Sequence, residues 1–352
     1  MIRVAINGYG RIGRVTHRII LEKYQDQIEV VGINAGSSTD IKGWEYLLKY
    51  DTTYRTLSSK FKIQSSKLED VEKTGTLKDA IGQFIIDDKK IPVFSQKDPN
   101  LLPWKDLNVD IVIESTGAFR KEEQLKFHIN AGAKGVVLSA PAKDETATYV
   151  LSVNSKDYKG ENIISNASCT TNCIAPVAKI MLDNFGIEKA MMTTIHGYTS
   201  DQRLQDGGHK DYRRARGAAD NIIPTSTGAT KAASKAIPEL EGIFSGLAVR
   251  VPVVVGSLSD FTFLLKKNTT VEEINEVLKK EAKNPNYANV LEVTEDPLVS
   301  GDIIGNSHSS IVDLSLTQVV GGNMAKVIVW YDNEWGYANR LVEEAMMVGQ
   351  KF

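Results

Sequence analysis

The sequence has few cysteines, no long apolar run and almost no net charge. Its two cysteines, Cys169 and Cys173, cannot form a disulfide framework, so a reducing cytoplasm is expected. No apolar run approaches the roughly 18 residues that a membrane span needs. The opening MIRVAING predicts a strand, with no targeting segment before it. The net charge of −2 argues against nucleic acid or an anionic membrane as the main partner.

The composition that remains is that of an ordinary globular protein. With 42% hydrophobic and 24% charged residues, the chain can bury a large core, and its 352 residues predict two domains. Up to residue 168, short apolar strands alternate with amphipathic helices, which predicts an α/β, Rossmann-type doubly wound sheet. Beyond it, long strand-like runs at 187–197, 245–265 and 325–331 predict an α+β domain with a mixed or antiparallel sheet.

A glycine-rich turn follows the first predicted strand. The residues Gly8-Tyr9-Gly10-Arg11-Ile12-Gly13 fit the pattern G-x-G-x-x-G between a strand and a helix. In this pattern the glycines permit a tight turn, close approach of a pyrophosphate and helix–strand packing, while the helix N-terminus attracts phosphate. The pattern predicts a dinucleotide-binding site, and the alternative is a glycine turn that binds no ligand.

The second predicted strand lacks the acidic residue that would bind an adenosine ribose. It ends in Asn34-Ala35-Gly36-Ser37-Ser38, where a carboxylate is expected about 20 residues after the glycine turn. Ala35 removes the repulsion that a carboxylate would exert on a 2′-phosphate, and Ser37 and Ser38 can donate hydrogen bonds to one. An alternative is that this loop only turns the chain. From these residues alone, NADP and NAD both remain open as the cofactor.

The most informative stretch reads SNASCTTNC and ends at Cys173. Cys169 stands where a helix is predicted to begin, and a helix N-terminus together with a nearby imidazolium would lower the pKa of its thiol. Cys173, one turn further on, is predicted to be a buried small hydrophobe. His196 ends a predicted strand; it is structural unless it meets Cys169, in which case the two form an activated pair. No metal site is predicted, because no further cysteine or histidine has suitable spacing.

Six segments together resemble phosphorylating glyceraldehyde-3-phosphate dehydrogenases: NGYGRIGR, SNASCTTNC, TTIHGYT, IIPTSTGATKA, VRVPVV and WYDNEWGYANR. The similarity covers essentially all 352 residues. It implies that Cys169 attacks the aldehyde and that His196 removes a proton as hydride passes to NAD(P). Inorganic phosphate then cleaves the thioester to give 1,3-bisphosphoglycerate.

The resemblance also assigns binding residues and an organisation. It implies that Thr199 and Arg250 bind the substrate phosphate. The positions implied for inorganic phosphate are Ser168, Thr170, Arg214, Thr227 and Gly228. The cofactor-lining positions, besides the glycine turn and the residues Asn34, Ala35 and Ser37, are Lys97, Thr116, Gly117, Ser139, Asn333 and Tyr337. It further implies a dinucleotide-binding domain at 1–168 onto which the C-terminal helix 334–352 packs, a catalytic domain at 169–333, and a homotetramer.

Two comparisons within the resemblance sharpen the expected function. Erythrose-4-phosphate dehydrogenase is the alternative activity, but the presence of Thr199 and of Thr227-Gly228 favours the triose substrate. A catalytically silent nucleotide-binding scaffold is the alternative of another class.

Asn34-Ala35 followed by serine is similar to NADP-using bacterial relatives, and Gly207-Gly208 replaces a Leu-Pro pair of NAD-dependent ones. The sequence therefore predicts NADP, or use of both cofactors with NADP preferred.

Overall fold

The computed structural model describes residues 1–58, 60–68 and 74–352, which form two compact units. The first unit comprises Met1–Thr148, Tyr158–Asn166 and Ala338–Phe352. The second unit comprises Tyr149–Asp157 and Ala167–Tyr337.

The first unit is built on a sheet of eight strands, as far as the described residues go. Its strands are β1 (Ile2–Asn7), β2 (Ile28–Asn34), β5 (Ile63–Ser66), β6 (Ala80–Ile86), β7 (Lys89–Phe94), β8 (Ile111–Glu114), β9 (Gly135–Leu138) and β10 (Ile163–Ser165), while the short β3 (Tyr50–Asp51) and β4 (Arg55–Thr56) pair with each other. The order across the sheet is β10-β9-β8-β1-β2-β7-β6-β5. The strands from β10 to β7 run parallel, and β6 and β5 are antiparallel additions at one edge.

This topology confirms the predicted doubly wound sheet. The central strands β8 and β9 are buried throughout, as expected for parallel strands that are covered on both faces. The chain order reverses on either side of β1, so a crevice forms beyond the carboxyl ends of β1, β2 and β8. This is the place where sheets of this type bind ligands.

The helices of the first unit cover that sheet. They are α1 (Arg11–Ile19), which continues as a π-helical turn at Ile20–Tyr24, α2 (Ile41–Lys49) and α3 (Glu122–Asn130). The C-terminal helix Trp335–Gly349 supplies most of its length to this unit from Ala338 onward. Lys23 donates to Asn339 over 3.2 Å and Tyr24 donates to Glu343 over 3.2 Å, which attaches this helix to the end of the π-helical turn.

The second unit contains a sheet of seven strands, counted over the part of the chain that the structure describes. They are β11 (Ile187–Gly197), β12 (Ile223–Ser226), β13 (Phe244–Val251), β14 (Ser257–Leu265), β15 (Leu291–Thr294), β16 (Ser310–Val320) and β17 (Met324–Tyr331). The order is β12-β13-β11-β14-β17-β16-β15, with β11/β13 and β15/β16 parallel and the other pairs antiparallel. The predicted mixed sheet is thus confirmed.

One predicted strand is two strands in the structure. The run 245–265 breaks after β13, because Pro252 has no N–H for a sheet ladder and Gly256 turns the chain with a φ of +100°. The prediction of a single run was wrong at this point. The break places Gly256 and Ser257 at the start of β14.

Three helices, α4 (Cys169–Phe185), α5 (Ala229–Ala236) and α6 (Val271–Ala282), belong to the second unit. Helix α4 packs its apolar side, including Cys173, into a core shared with Phe261 and Val327 of the sheet. Residues 198–222 form neither helix nor strand. No helix among the described residues is long and apolar enough to span a membrane.

Candidate active site

Cys169 is the first residue of α4. Ser168 caps the helix, since its hydroxyl accepts a hydrogen bond of 3.1 Å from the N–H of Thr171. The preceding residue, Ala167, has a φ of +50°, a left-handed conformation that a residue other than glycine rarely adopts. The hydroxyl of Tyr337 donates to the carbonyl of Ala167 over 3.2 Å and so helps to hold this turn. The thiol is therefore presented at a defined helix N-terminus.

His196, near the end of β11, meets this thiol. Nε2 of His196 lies 3.4 Å from Sγ of Cys169, while Cys169 is half-buried and His196 is buried. Sequence analysis predicted a catalytic pair only if His196 meets Cys169, and the structure places the two side chains in contact. A thiol and an imidazole at this distance can exchange a proton directly.

The second ring nitrogen of His196 has two contacts that exclude each other. Nδ1 lies 2.6 Å from the carbonyl oxygen of Gly197 and 2.8 Å from Nη1 of Arg250, which is its neighbour across the parallel pair β11/β13. Arginine can only donate, so a bond from Arg250 places the ring proton on Nε2. A bond from Nδ1–H to Gly197 instead leaves Nε2 as an acceptor that faces the thiol. Arg250 therefore influences which nitrogen can act as a base.

The protonation of the pair differs from the sequence-based expectation. Burial, assisted by the positive charge of Arg250, lowers the pKa of His196 to about 3, so its imidazole is neutral near pH 7. Burial raises the pKa of the Cys169 thiol, and the charge of Arg250 only partly offsets this. Burial and the neighbouring guanidinium disfavour the expected imidazolium, because its positive charge would lie beside that of Arg250. Burial thus favours the neutral forms of both the thiol and the imidazole in this structure.

Tyr331 completes the surroundings of the pair; it lies in the segment WYDNEWGYANR, but no role was predicted for it. Its hydroxyl lies 3.0 Å from Oγ1 of Thr170 and 2.8 Å from Oγ1 of Thr194. Its ring meets the ring of His196 edge to face, with centroids 5.9 Å apart. Burial raises the pKa of Tyr331, so its hydroxyl keeps the proton and can donate. Tyr331 therefore orients both Thr170 and the imidazole.

The residues predicted to bind inorganic phosphate lie at two helix starts in the second unit. Ser168 and Thr170 are at the N-terminus of α4; Thr227 and Gly228 are at that of α5, where Oγ1 of Thr227 accepts from the N–H of Ala229 over 3.2 Å. Helix N-termini attract anions.

Arg214 is folded back from the long loop onto β12. It donates to Oγ1 of Thr225 over 2.9 Å and to the carbonyl of Ser226 over 3.2 Å, and pairs with Asp201 over 2.7 Å. This anchors its guanidinium beside the strand that leads to Thr227. Thr199, predicted to bind the substrate phosphate, is half-buried two residues beyond β11, and its N–H donates to the side chain of Gln202 over 3.3 Å.

The glycine turn of the first unit fits a dinucleotide. Gly8 has a φ of +95°, and a Cβ at this position would lie 2.6 Å from the backbone nitrogen of Thr116. A Cβ on Gly13 would lie 2.2 Å from the carbonyl oxygen of Gly8, so no side chain fits at either position. Gly10 faces open space, and no side chain among the described residues caps α1. The free end of α1 and the open side of Gly10 leave room for a pyrophosphate.

The loop after β2 carries no acidic residue before Asp40. Ala35 is half-buried and donates its N–H to Phe94 over 2.8 Å, and Gly36 then turns the chain with a φ of +69°. The first acidic residue after the strand, Asp40, caps α2 by accepting from the N–H of Gly43 over 2.9 Å. Ser37 at this loop is exposed.

The remaining predicted cofactor residues lie in both units. In the first unit Lys97 is exposed, Gly117 follows Thr116 with a φ of +72°, and the N–H of Ser139 donates to Glu114 over 2.9 Å. In the second unit, Oδ1 of Asn333 accepts from Ser257 Oγ over 2.8 Å and from the N–H of Gly256 over 3.2 Å. These two bonds fix the orientation of the Asn333 side-chain amide. Its NH₂ group is the end that can donate a hydrogen bond to a cofactor.

Known proteins match the chain over nearly its whole length. Residues 2–122 match the family model described as glyceraldehyde 3-phosphate dehydrogenase, NAD binding domain, and residues 168–333 match the model for the C-terminal domain. The glyceraldehyde-3-phosphate dehydrogenase of Streptomyces coelicolor is 47% identical over 352 residues, with 99% of each chain covered. That of Mycolicibacterium smegmatis is 48% identical over 355 residues, again with 99% of each chain covered. That of Thermotoga maritima is 49% identical over 344 residues, with 97% of this chain and 98% of the relative covered.

Proposed function

The chain belongs to the glyceraldehyde-3-phosphate dehydrogenase family, and from this premise we propose that it catalyses the reversible phosphorylating oxidation of D-glyceraldehyde 3-phosphate to 1,3-bisphosphoglycerate. It is an oxidoreductase with a domain for a nicotinamide dinucleotide. The observation that carries the proposal is the 3.4 Å contact between the Cys169 thiol and His196 at the N-terminus of α4.

In the first step Cys169 adds to the aldehyde. Sγ bonds to the carbonyl carbon, and the thiol proton passes through Nε2 of His196 to the carbonyl oxygen, which gives a neutral hemithioacetal. Because both partners start neutral, this transfer needs no base from solvent. It requires the tautomer in which Nδ1–H donates to Gly197 and Nε2 is free to accept.

Arg250 connects substrate binding to this tautomer. Its guanidinium is suited to the substrate phosphate because it presents several N–H donors in one plane. The same group lies 2.8 Å from Nδ1 of His196. A phosphate dianion that recruits the Arg250 donors leaves Nδ1 to donate to Gly197, so the bound substrate favours the form of His196 that accepts the thiol proton.

The remaining steps oxidise and release the acyl group. The hydride that leaves the hemithioacetal carbon would pass to a nicotinamide bound beside it. Nε2 of His196 takes the hydroxyl proton in the same step, which yields a thioester on Cys169 and an imidazolium. Inorganic phosphate then attacks the thioester carbon, the C–S bond breaks, and the imidazolium returns its proton to the departing sulfur. Arg214 and the helix starts at Ser168 and Thr227 would bind this phosphate.

We further propose that NADP is the preferred cofactor and that NAD is used less well. Support comes from Ala35 and from Asp40, which caps α2 and is therefore not directed at a ribose. In the long loop, Gly207 and Gly208 carry no side chains, and the space beside Gly208 is open, since a Cβ there would meet nothing within 4 Å.

The variant Ala35→Asp tests the cofactor proposal. We expect its kcat/KM for NADP to fall by about tenfold to a hundredfold, because a carboxylate repels the 2′-phosphate, while its kcat/KM for NAD holds or rises. The matched variant Ala35→Asn has the same size and no charge, and it should fall much less with NADP. A parent enzyme that already prefers NAD by a wide margin would contradict the proposal.

Initial rates test the reaction itself. With glyceraldehyde 3-phosphate and NADP, turnover should require inorganic phosphate and should release an acyl phosphate. Faster acyl-phosphate formation from erythrose 4-phosphate would contradict the choice of substrate. The homotetramer and the cytoplasmic location remain predictions from the sequence.

A further inference from the structure

We infer that a buried hydrogen-bond network in the first unit positions the strand ends that bind the cofactor, and that His128 is a positioning residue within it. The network, called here the buried relay, consists of Trp104, His128, Glu114, Asn7 and Asn34. Each of these side chains is at most 2% exposed. The inference rests on the cofactor site proposed above and, apart from Asn34, adds residues that are not assigned to contact that cofactor.

One indole sets the direction of the relay. Nε1 of Trp104 lies 3.0 Å from Nδ1 of His128, and Nε2 of His128 lies 3.0 Å from Oε2 of Glu114. Because an indole N–H can only donate, Nδ1 of His128 must accept and its ring proton must be on Nε2. His128 therefore donates to Glu114, which accepts as a carboxylate.

From Glu114 the relay divides toward neighbouring strands. Oε1 of Glu114 accepts from the N–H of Thr116 over 2.8 Å and from the Thr116 hydroxyl, and Oε2 accepts from Nδ2 of Asn7. Oδ1 of Asn7 accepts from Nδ2 of Asn34 over 2.6 Å. Oδ1 of Asn34 accepts from the N–H of Gln96 over 2.9 Å. Each donor thus meets an acceptor along the whole path.

The relay joins the strand ends at the crevice of the sheet. Asn7 is the last residue of β1, paired in register with Asn34 of β2 on one side and Glu114 of β8 on the other. The residues that follow are Gly8, Ala35 and Ser115-Thr116, where the cofactor is proposed to bind. The backbone of Gly8 lies close to that of Thr116, since a Cβ on Gly8 would be 2.6 Å from the nitrogen of Thr116. The Glu114 carboxylate holds this N–H, so a shift of the carboxylate also disturbs the glycine turn.

The loss of His128 would affect two buried partners at once. Without it the Trp104 N–H loses its acceptor and the buried Glu114 carboxylate loses a donor. Buried groups that lose a partner pay their desolvation cost, so the Glu114 carboxylate would move toward other donors and release Thr116. The expected consequence is weaker cofactor binding, with no effect on the thiol chemistry of the other unit.

The test compares His128→Leu with the matched variant His128→Gln in the full-length protein. Dissociation constants for NADP and NAD are measured by titration, and the rate of Cys169 alkylation by iodoacetamide is measured without cofactor. We expect both dissociation constants to rise by about tenfold in His128→Leu, the size of a lost buried hydrogen bond. The alkylation rate should stay unchanged, and the glutamine amide should recover most of the affinity by donating to Glu114.

Two outcomes would overturn the inference. One is a folded His128→Leu protein that binds both cofactors as tightly as the parent; the other is an alkylation rate that changes as much as cofactor affinity, which indicates general damage. If His128→Leu does not fold, Trp104→Phe keeps an aromatic ring and removes only the donor, and parental affinity in that variant overturns the inference equally. Weak binding of both cofactors by the parent itself would contradict the cofactor site, a result distinct from these.

Discussion

The two cysteines of α4 lie four residues apart and have opposite surroundings. Cys169 is the first residue of the helix, is half-buried, and has the imidazole of His196 at 3.4 Å. Cys173, one turn further on, is fully buried in the apolar core, and its thiol lies 4.0 Å from the hydroxyl of Ser259. The same residue type is thus placed beside a base in one turn and in a hydrocarbon core in the next.

The two thiols differ in their neighbours and not in the direction in which their pKa values are shifted. Burial raises the pKa of both thiols in this structure. Only Cys169 has a neighbour that can take its proton and partial access to solvent. We therefore expect reactivity to depend on the base beside the thiol. Each variant below changes Cys169, its neighbour His196, or the buried Cys173.

The largest effect is expected from Cys169→Ser. The hydroxyl is a much weaker nucleophile toward the aldehyde, so kcat/KM should fall by about 10⁴-fold or more. Steady-state rates with glyceraldehyde 3-phosphate measure this loss. The affinity of the variant for the cofactor should stay that of the parent.

The control is Cys173→Ala. We expect its kcat/KM to stay within about threefold of the parent, while the loss of a buried sulfur lowers the free energy of unfolding by about 1–2 kcal/mol. Denaturant titration measures the second effect. A Cys173 variant that loses activity as severely as the Cys169 variant, while remaining folded, would remove the contrast between the two turns.

The next effect concerns the base. His196→Gln keeps a polar side chain of similar reach but cannot take a proton, so kcat should fall by about 10²–10⁴-fold. The rate of Cys169 alkylation should fall as well, whereas cofactor affinity should not change. Alkylation at the parental rate in this variant would show that His196 does not activate the thiol.

The smallest effect is expected in the pH dependence of the free energy of unfolding. The pKa of His196 is about 3 in the fold against 6.5 for an ordinary histidine, because the ring is buried next to Arg250. Between those pH values the unfolded chain binds a proton that the folded chain does not. Lowering the pH through this window should therefore reduce the free energy of unfolding, by at most about 1.4 kcal/mol per pH unit for this residue.

Denaturant titrations at about pH 6.5 and about pH 4.5 measure this loss. The variant His196→Gln should lose less stability than the parent over the same interval, because it has no proton to bind. His17, whose pKa burial also lowers to about 3, contributes a similar loss in both proteins. An equal loss in parent and variant would contradict the neutral state of His196.

Local patterns in the sequence were sufficient to predict both sheets, the start of α4 and the glycine turn. The spacing of apolar residues predicts strands and helices. The glycine turn is recognisable because its backbone conformation, with a φ of +95° at Gly8, favours glycine. The motif around Cys169 also directed attention to His196. The exact break after Val251 was missed because two apolar strands in succession look like one.

The remaining features depend on contacts between residues far apart in the chain. Tyr331 reaches Thr170 across 161 positions, and Asn7 reaches Glu114 across 107. No spacing rule links such residues, so neither Tyr331 nor the buried relay could be inferred from the sequence. The burial of His196 and the approach of Arg250, which together lower the pKa of the imidazole, also come from the fold and not from local sequence.

The most direct test of the central claim is a rapid-mixing experiment without inorganic phosphate. The parent enzyme, mixed with glyceraldehyde 3-phosphate and NADP, should form one reduced cofactor per chain in a burst and then stop, because the thioester on Cys169 persists. Adding phosphate should restore steady turnover, Cys173→Ala should give the same burst, and Cys169→Ser should give none. A burst that survives in the Cys169 variant, or steady turnover without phosphate, would contradict the account.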